Sequence, residues 1–569
     1  LLTNTYTGDG RIHQPSSAVF SQRMQRGEVY MKMTGAQAVL ESLKKEGVDV
    51  VFGYPGGAIL PLYEEFYKAN FRHILTSHEQ GAVHAADGYA RITGKPGVCV
   101  ATSGPGICNM VTGIATANMD SIPMIIISGQ VPTSLIGRDA FQEADISGIT
   151  TPITKHNYLV KHAADIPRVM KEAFYIASTG RPGPVLIDIA KDALEAEIDY
   201  AYPQDVYLPG YTVETTGQAF MIDKAIAALD QSERPVLLVG GGVVLSETTA
   251  PLLDFIQTTQ IPIVTTLMGK GAVPDSLPTH LGMGGMHGSY AANMAISECD
   301  LLIAVGARFD ERLTSKADVF APHAQIIHFE IDDVEIDKII DIDLGIKGDL
   351  RWSLPIFSQK ARESTCSYAT QFASWRTHVR ELKKAHPFST VKHSDYISPQ
   401  EIFETVNTLT PADTAVVTDV GQHQMWAAQF VDTQLPRHFI TSGGLGTMGF
   451  GLPAAMGVKV ACPQKTVVLF TGDGSILMNC QEFATLAEHH IAVKVIVLHN
   501  DVLGMIVQLQ DFFYNKHYSQ CRLYKGKNLP MLAESLGVKG YTINTEEELH
   551  TILPDALAYD GPALIDIRI

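Results

Sequence analysis

The sequence contains few cysteines, and they are scattered. Only 7 occur among 569 residues, at positions 99, 108, 299, 366, 462, 480 and 521, with no CxxC pair and no histidine at zinc spacing. A disulfide framework or a structural zinc site needs cysteines clustered at short spacings. Both are therefore excluded, and this cysteine usage is typical of a reducing compartment, which predicts a cytoplasmic location.

The sequence also lacks an excess of basic residues and a convincing membrane segment. It has 43 Lys and Arg against 61 Asp and Glu, a net charge of −18, so phosphate backbones and anionic lipids are repelled unless a basic patch exists, and none is found. The uncharged run 96–119 contains Gly97, Gly104, Pro105 and Asn109, which a bilayer helix does not tolerate as a cluster. These features predict neither a nucleic-acid nor a membrane partner.

The start of the chain lacks the apolar core of a secretory signal. Met31 stands directly before an amphipathic pattern, so residues 1–30 are expected to form a disordered extension. An organelle-targeting segment is the alternative.

The remaining composition is that of a packed enzyme, with 46% hydrophobic and 18% charged residues. Length alone allows about four domains. Apolar runs at 98–101, 236–239 and 467–470 each stop at a glycine-rich turn that leads into a helical pattern. Each reads as the start of a βαβ unit, and unbroken Val/Ile/Leu runs indicate strands buried on both faces. The pattern predicts three doubly wound parallel-sheet α/β domains, with sheets of one type.

Proline-containing and polar stretches mark the predicted boundaries between these domains. Such stretches lie at 202–210 and 353–399. The predicted domains are 31–195, 212–352 and 396–569, with a weakly structured linker over 353–395.

Two polar residues follow successive predicted strands of the third domain. Asp473 comes directly after one buried strand and Asn500 after the next. In a right-handed βαβ unit both side chains emerge at the carboxyl edge of the sheet, where neighbouring strands are about 4.8 Å apart. Carboxylate and amide oxygens suit Mg²⁺, and the flanking Gly472 and Gly474 would let a diphosphate approach the main chain. The alternative is that Asp473-Gly474 is simply a turn.

Three further features leave alternatives open. Glu79 is either a helix-start residue that complements the dipole or an acid/base group. The glycines at 240–242 follow a strand as in a dinucleotide turn, but the GxGxxG spacing fails. Arg308, Asp310 and Arg312 form either a solvated face or a ligand contact at a strand end.

Longer motifs give the chain a specific resemblance. In order they are YPGGAILPLY from Tyr54, HEQGAVHAADGYAR from His78, AFQEADISGITTPITKHNYLV from Ala140, RPGPVLIDIAKD from Arg181, GARFDERLT from Gly306, VGQHQMW from Val420 and GGLGTMGFGLPAAMG from Gly443. Over residues 33–567 the chain resembles the acetohydroxyacid (acetolactate) synthase catalytic subunits, a family of thiamine diphosphate enzymes. The resemblance implies a pyrimidine-binding, a central FAD-binding and a diphosphate-binding domain.

The resemblance also implies roles for individual residues. Mg²⁺ would be held by Asp473, Asn500 and the carbonyl of Val502. The diphosphate would be held by Gly421, Gln422, His423, Gly474 and Ser475. The aminopyrimidine would be gripped by the segment of Gly446 and Met448. Glu79 would protonate the pyrimidine of a cofactor held mainly by the other subunit, which implies a homodimer or homotetramer.

Further residues are assigned in the same way. Gln130, Phe141 and Lys155 match positions around the substrate approach, and Arg312 and Leu509 match the substrate pocket. FAD, which has a structural role in this family, would be bound by Arg181, Gly240, Thr266, Leu267, Met268, His287, Gly306, Arg308, Asp310, Glu330 and Asp349.

The implied reaction is carboligation in branched-chain amino acid biosynthesis. Pyruvate is decarboxylated on thiamine diphosphate, and the hydroxyethyl carbanion attacks a second 2-keto acid. Pyruvate as acceptor gives 2-acetolactate, and 2-ketobutyrate gives 2-aceto-2-hydroxybutyrate. A separate regulatory subunit is a further partner in this reading. The alternatives are an enzyme similar to pyruvate oxidase, with FAD in electron transfer, and an inactive cofactor-binding scaffold; glyoxylate carboligase is disfavoured because it lacks the acid at Glu79.

Three departures from the family pattern bear on this reading. His499 replaces an asparagine beside Asn500, and metal binding is expected to persist because Asn500 remains. Leu509 replaces a tryptophan, which predicts weaker selectivity for 2-ketobutyrate. The family usually continues beyond Ile569 with a segment that covers the active site, so full activity of this chain is left open.

Overall fold

Three six-stranded sheets, in which every neighbouring pair of strands is parallel, form the framework of the chain. The computed structural model describes residues 31–390 and 396–569. The expected extension 1–30 and residues 391–395 of the expected linker lie outside the described residues. The predicted fold class, three parallel-sheet α/β domains, is confirmed.

The first sheet has helices on both faces, so its central strands are buried along their whole length. Strands β1 and β8, the first and last strands of this domain, pair antiparallel in a separate two-stranded sheet. The strands are β1 Met31–Thr34, β2 Val51–Gly53, β3 His73–Leu75, β4 Gly97–Ala101, β5 Met124–Gln130, β6 His156–Val160, β7 Pro184–Ala190 and β8 Glu197–Tyr200. The helices are α1 Gly35–Lys45, α2 Leu60–Ala69, α3 Glu79–Thr93, α4 Pro105–Cys108, α5 Val111–Met119, α6 Ile146–Thr150, α7 Ile166–Ser178 and α8 Lys191–Glu195.

The central sheet is built in the same way, with two separate apolar layers on its faces. Its strands are β9 Pro235–Val239, β10 Ile263–Thr265, β11 His280–Met283, β12 Leu301–Val305, β13 Gln325–Glu330 and β14 Leu344–Lys347. The helices are α9 Ala219–Gln231, α10 Gly241–Leu245, α11 Thr249–Thr259, α12 Tyr290–Glu298, α13 Glu311–Thr314, α14 Leu350–Glu363, α15 Tyr368–Gln371 and α16 Ala373–Ala385.

The third sheet shares one of its apolar layers with the first domain. Its strands are β15 Ala415–Thr418, β16 Phe439–Ile440, β17 Val467–Gly472, β18 Lys494–His499, β19 Lys539–Ile543 and β20 Ala563–Arg568. The helices are α17 Pro399–Leu409, α18 Gln422–Phe430, α19 Gly451–Ala461, α20 Glu482–Glu488, α21 Gly504–Phe513, α22 Leu529–Ser535 and α23 Glu546–Ala558.

The order of strands differs between the sheets. The first runs β3-β2-β4-β5-β7-β6 and the third β16-β15-β17-β18-β20-β19, which is the same topology. The central sheet runs β11-β10-β9-β12-β13-β14, the order of dinucleotide-binding folds. The expectation of three sheets of one type is therefore wrong for the central sheet, because glycine turns and apolar runs carry no information about strand order.

The expectation of a weakly structured linker is also wrong over its described part. Helices α14 and α16 cover most of 353–385. Most of the surface of these helices is polar, but each has a narrow apolar face. Leu354 and Phe357 pack into one core layer of the central sheet, and Trp375 and Val379 pack into the other. This stretch is thus part of the helical cover of the central sheet.

Within the described ranges, no helix combines the length and apolar character needed to cross a bilayer. All seven cysteines are free thiols, as their spacing predicts.

Candidate active site

A single cavity of about 1430 Å³ runs between the carboxyl edges of the central and third sheets. The predicted diphosphate, pyrimidine and metal residues line it, as do the substrate-pocket residues Arg312 and Leu509. All of the predicted FAD residues line it except Gly240, whose neighbours Gly241 and Gly242 do. The structure therefore brings the residues assigned to the second and third domains together in one place.

The third-domain wall begins where β15 ends. Gly421 precedes helix α18, and no side chain caps the amino end of this helix. Gly472 ends the neighbouring strand β17 and Gly474 follows it, and Ser475 Oγ donates to the carbonyl of Val420 at 3.0 Å. Strand order reverses between β15 and β17, which is where open α/β sheets bind ligands. An uncapped helix start beside glycines is suited to an anion.

His423 is buried in this wall and has an unsatisfied polar atom. Its Nε2 contacts no hydrogen-bond partner among the described residues. Burial lowers the pKa of His423 to about 3, so the ring is neutral near pH 7. A buried polar atom without a hydrogen bond destabilises the fold. A phosphate oxygen bound in the cavity would be a suitable partner for this imidazole nitrogen.

The predicted metal residues lie on adjacent strands, as the sequence predicts. Strands β17 and β18 pair directly, with Gly472 beside Leu498, so Asp473 and Asn500, which follow these strands, both leave the sheet at its carboxyl edge. The amide of Val502 donates to Asn500 Oδ1 at 3.2 Å, which folds the loop so that Val502 reaches the cavity. A carboxylate, an amide oxygen and a carbonyl are a donor set suited to Mg²⁺.

A second set of groups surrounds Asp473. The ligand atoms of Asp473, His499 and Asp501 lie within 4.8 Å of one another. His499 is fully buried, with Nδ1 2.8 Å from Asp566 and Nε2 2.9 Å from Asp501. Lys527 Nζ lies 2.8 Å from Asp473 Oδ2 and 2.7 Å from Asp501 Oδ1. Asp501 is thus already neutralised, whereas Asp473 alone of the two carboxylates lines the cavity.

The pyrimidine segment is held by a residue that the sequence analysis missed. Asp419 is buried, and its carboxylate accepts from the amides of Gly449 at 2.9 Å and Gly451 at 3.2 Å. Burial raises the pKa of Asp419 to about 6. Gly446 has φ +68°, a left-handed conformation that favours glycine. Asp419 directly follows strand β15, so the strand-end pattern that identified Asp473 could have found it.

Two glycines of the central domain approach each other closely in the predicted FAD region. A Cβ on Gly240 would lie 2.2 Å from the carbonyl oxygen of Gly306, and Gly306 has φ +56°. These glycines follow β9 and β12, the two strands between which the order of the central sheet reverses. A dinucleotide fits such a crevice.

Arg181 of the first domain closes the cavity toward the central domain. Its Nη1 pairs with Glu335 at 2.7 Å and Asp332 at 3.2 Å, and its Nε donates to Ser121 Oγ at 2.8 Å. Arg308 and Arg312 add further cationic groups to the cavity wall.

Of the predicted first-domain residues, Arg181 lines this cavity, whereas the acid/base and substrate-approach residues do not: Glu79, Gln130, Phe141 and Lys155. Glu79 starts helix α3 and accepts a hydrogen bond from Asn109 Nδ2 at 2.9 Å. Gln130 is buried, donates to Asp188 at 2.8 Å and accepts from the amide of Val131 at 2.8 Å. Ser128 donates to the same Asp188, whose pKa burial raises to about 7.

Phe141 and Lys155 also lie outside the cavity. The Phe141 ring is 88% exposed on a loop. Lys155 Nζ donates to the carbonyls of Ile176 at 2.6 Å and Thr179 at 2.8 Å, at the end of helix α7. Burial lowers the pKa of Lys155 to about 8. Within one chain, none of the four residues Glu79, Gln130, Phe141 and Lys155 therefore lines the cavity.

Comparison with known families matches the whole domain series. Residues 33–149 match the N-terminal TPP binding domain of thiamine pyrophosphate enzymes, 222–356 match their central domain, and 419–567 match their C-terminal TPP binding domain.

Individual relatives are similar over nearly the full length. The acetolactate synthase of Mycobacterium bovis is 47% identical, over 94% of this chain and 88% of that protein. The acetolactate synthase large subunit of Porphyra purpurea is 45% identical, over 94% and 92%. That of Corynebacterium glutamicum is 44% identical, over 97% and 89%. The chain belongs to the thiamine pyrophosphate enzymes and, among them, to the family of acetolactate synthase large subunits.

Proposed function

We propose that this protein is the catalytic subunit of an acetolactate synthase. It decarboxylates pyruvate and joins the two-carbon fragment to a second 2-keto acid, forming 2-acetolactate from pyruvate or 2-aceto-2-hydroxybutyrate from 2-ketobutyrate. The observation that carries this proposal is one cavity that is lined by the predicted diphosphate, metal and flavin residues, most of them from the central and third domains. Sequence identity near 45% to acetolactate synthases supports it.

Thiamine diphosphate would be held at the third-domain wall. The amino end of α18 and the unpartnered His423 Nε2 would bind the diphosphate, and Asp473, Asn500 and the Val502 carbonyl would hold Mg²⁺. Gln422, Gly474 and Ser475 would bind the same phosphates, and Gly446 and Met448 would contact the pyrimidine. When bound, the cofactor supplies the carbon nucleophile and the electron sink for decarboxylation.

FAD would occupy the central-domain part of the cavity. The close packing of Gly240 against Gly306 holds two strand ends together at the switch point, where a pyrophosphate would bind. Glu330 and Asp349 offer carboxylates for ribose hydroxyls, and Arg181, Arg308 and Thr266 offer donors. Its proposed role is structural, as in the family that the chain resembles.

Glu79 would supply the proton to the pyrimidine of a cofactor bound by a second subunit. Glu79, Gln130, Phe141 and Lys155 do not line the cavity of their own chain, which supports an assembly in which a second copy brings them to it. The proposed assembly is a homodimer or a homotetramer, with a separate regulatory subunit as a further partner and a cytoplasmic location.

The test is acetolactate formation from pyruvate, with and without thiamine diphosphate and Mg²⁺. Cofactor-dependent product is expected. Oxygen uptake with pyruvate would favour a pyruvate oxidase instead, and cofactor binding without product would favour a scaffold.

The shared site has its own test in mixed subunits. Glu79→Gln and Asp473→Asn are each expected to be inactive. In a mixed dimer one site would contain both unmodified residues, so random mixing restores about a quarter of the sites. No recovery after co-refolding would contradict an active site built from two subunits.

A further inference from the structure

The two residues before the proposed pyrimidine segment (445–448), Gly443 and Gly444, are hydrogen-bonded to the first domain of the same chain. Asp120 follows helix α5, and its side chain is fully buried. Its Oδ1 accepts from the amide of Gly444 at 2.7 Å and its Oδ2 from the amide of Gly443 at 3.1 Å. One carboxylate therefore binds two successive amides that lie just before Gly446 and Met448.

The charge of Asp120 is held by Arg91 of helix α3. Arg91 Nη2 donates to Asp120 Oδ2 at 2.8 Å, Nη1 donates to the carbonyl of Thr441 at 2.8 Å, and Nε pairs with Asp87. The neighbouring carboxylates raise the pKa of Arg91, although burial alone opposes the charged form. Arg91 thus contacts Thr441, which follows strand β16, and Asp120 contacts the Gly443–Gly444 turn; both lie just before the 445–448 segment.

The turn leaves no room to shift. A Cβ on Gly444 would lie 2.9 Å from Asp120 Oδ1 and 3.1 Å from both Met119 Cβ and the Met119 carbonyl oxygen. On the opposite side, a Cβ on Gly443 would meet the sulfur of Met268, from the central domain, at 2.4 Å. The turn is therefore enclosed between the first and central domains.

The far end of the segment is held by Asp419, which binds the amides of Gly449 and Gly451. Between these two carboxylates, Leu445, Gly446 and Met448 line the cavity. The backbone on either side of the segment is thus hydrogen-bonded to two buried aspartates, Asp120 of the first domain and Asp419 of the third.

We infer that Asp120 is a positioning residue for the thiamine diphosphate site, acting through the Gly443–Gly444 turn to set where the 445–448 segment lies. This inference rests on the proposed function. It assigns a role in cofactor binding to a residue that lies in another domain from the proposed diphosphate and metal ligands.

The test uses a matched pair of buried aspartates that both bind Arg91. Asp120→Asn removes the charge that holds the turn, whereas Asp87→Asn weakens the Arg91 pair and leaves the turn amides bound. Gly444→Ala displaces the turn without touching Arg91, so it decides the matter if Asp120→Asn does not fold. For each variant, the dissociation constants of thiamine diphosphate with Mg²⁺ and of FAD are measured by titration, together with Tm.

Asp120→Asn and Gly444→Ala are expected to weaken thiamine diphosphate binding about tenfold or more, the scale of lost charge-assisted hydrogen bonds. FAD binding should weaken less than thiamine diphosphate binding, although Met268 of the predicted FAD set contacts the turn. Asp87→Asn should lower Tm yet leave thiamine diphosphate binding within about twofold. The inference would be overturned, and the proposed function left standing, if Asp87→Asn and Asp120→Asn weakened thiamine diphosphate binding equally. The same would follow if neither Asp120→Asn nor Gly444→Ala weakened it. Absence of thiamine diphosphate binding by the wild type would overturn it together with the proposed function.

Discussion

Gly240 and Gly306 approach each other so closely that a Cβ on Gly240 would lie 2.2 Å from the Gly306 carbonyl oxygen. They end the two strands between which the order of the central sheet reverses. A side chain at position 240 would therefore push these two strand ends apart, at the switch point where we propose that FAD binds.

Gly240→Ala is expected to abolish this approach and with it FAD binding. The clash is with backbone, which cannot rotate away, so the purified variant should contain little or no flavin by absorbance and should unfold at a lower temperature. Gly57→Ala is the matched control, because its Cβ would meet nothing within 4 Å. Full flavin content in Gly240→Ala would contradict the assigned FAD site.

The metal assignment predicts unequal roles for two neighbouring carboxylates. Asp473→Asn and Asn500→Ala should each weaken Mn²⁺ binding, followed by electron paramagnetic resonance, by about tenfold or more. Asp501→Asn should have a small effect, since Asp501 is already paired with His499, Lys527 and Arg568. If Asp501→Asn weakened binding as much as Asp473→Asn, the ion would instead be bound by the His499 cluster.

Lys527 is expected to oppose metal binding in the absence of thiamine diphosphate. Its ammonium lies 2.8 Å from Asp473 Oδ2, so a divalent cation at Asp473 must displace it against like-charge repulsion. Lys527→Met should strengthen Mn²⁺ binding several-fold, with a smaller gain at high salt. Lys525→Met, two positions away and exposed, is the control and should change nothing.

The strand-end residues could be predicted from sequence because the signal is local. Asp473 and Asn500 each follow an apolar run, and parallel topology alone then places them side by side. Asp120 follows a helix rather than a strand, and its partners Gly443 and Gly444 are distant in the chain, so no local pattern points to it. The helices of 353–385 were missed because most of their surface is polar. Strand order, which separates the central sheet from the other two, depends on contacts between distant segments.

The pH dependence of stability should reveal the buried Asp188. Burial raises its pKa to about 7, above that of an unfolded aspartate, so folding favours the protonated form. Its contribution is complete below about pH 4 and is lost as the pH rises through about 7. The Tm deficit of Asp188→Asn relative to wild type should therefore shrink between pH 5 and pH 8. A deficit that is constant over this range would show that Asp188 is ionised throughout.

Acceptor choice should depend on Leu509, which lines the cavity from helix α21 and is 42% exposed. Leu509→Trp adds a large aromatic surface and should increase preference for 2-ketobutyrate over pyruvate by about 1 to 3 kcal/mol. Product ratios in a competition assay provide the measurement. Equal ratios for wild type and variant would rule out this position as a determinant of selectivity.

The central claim is that Glu79 moves the proton that activates thiamine diphosphate bound in the cavity of a second subunit. Acetolactate formed from pyruvate, with thiamine diphosphate, Mg²⁺ and FAD present, is measured for wild type and Glu79→Gln side by side. The account predicts activity in the wild type and a loss of about 100-fold or more in the variant, the scale of general acid–base catalysis. Full activity in Glu79→Gln would contradict it.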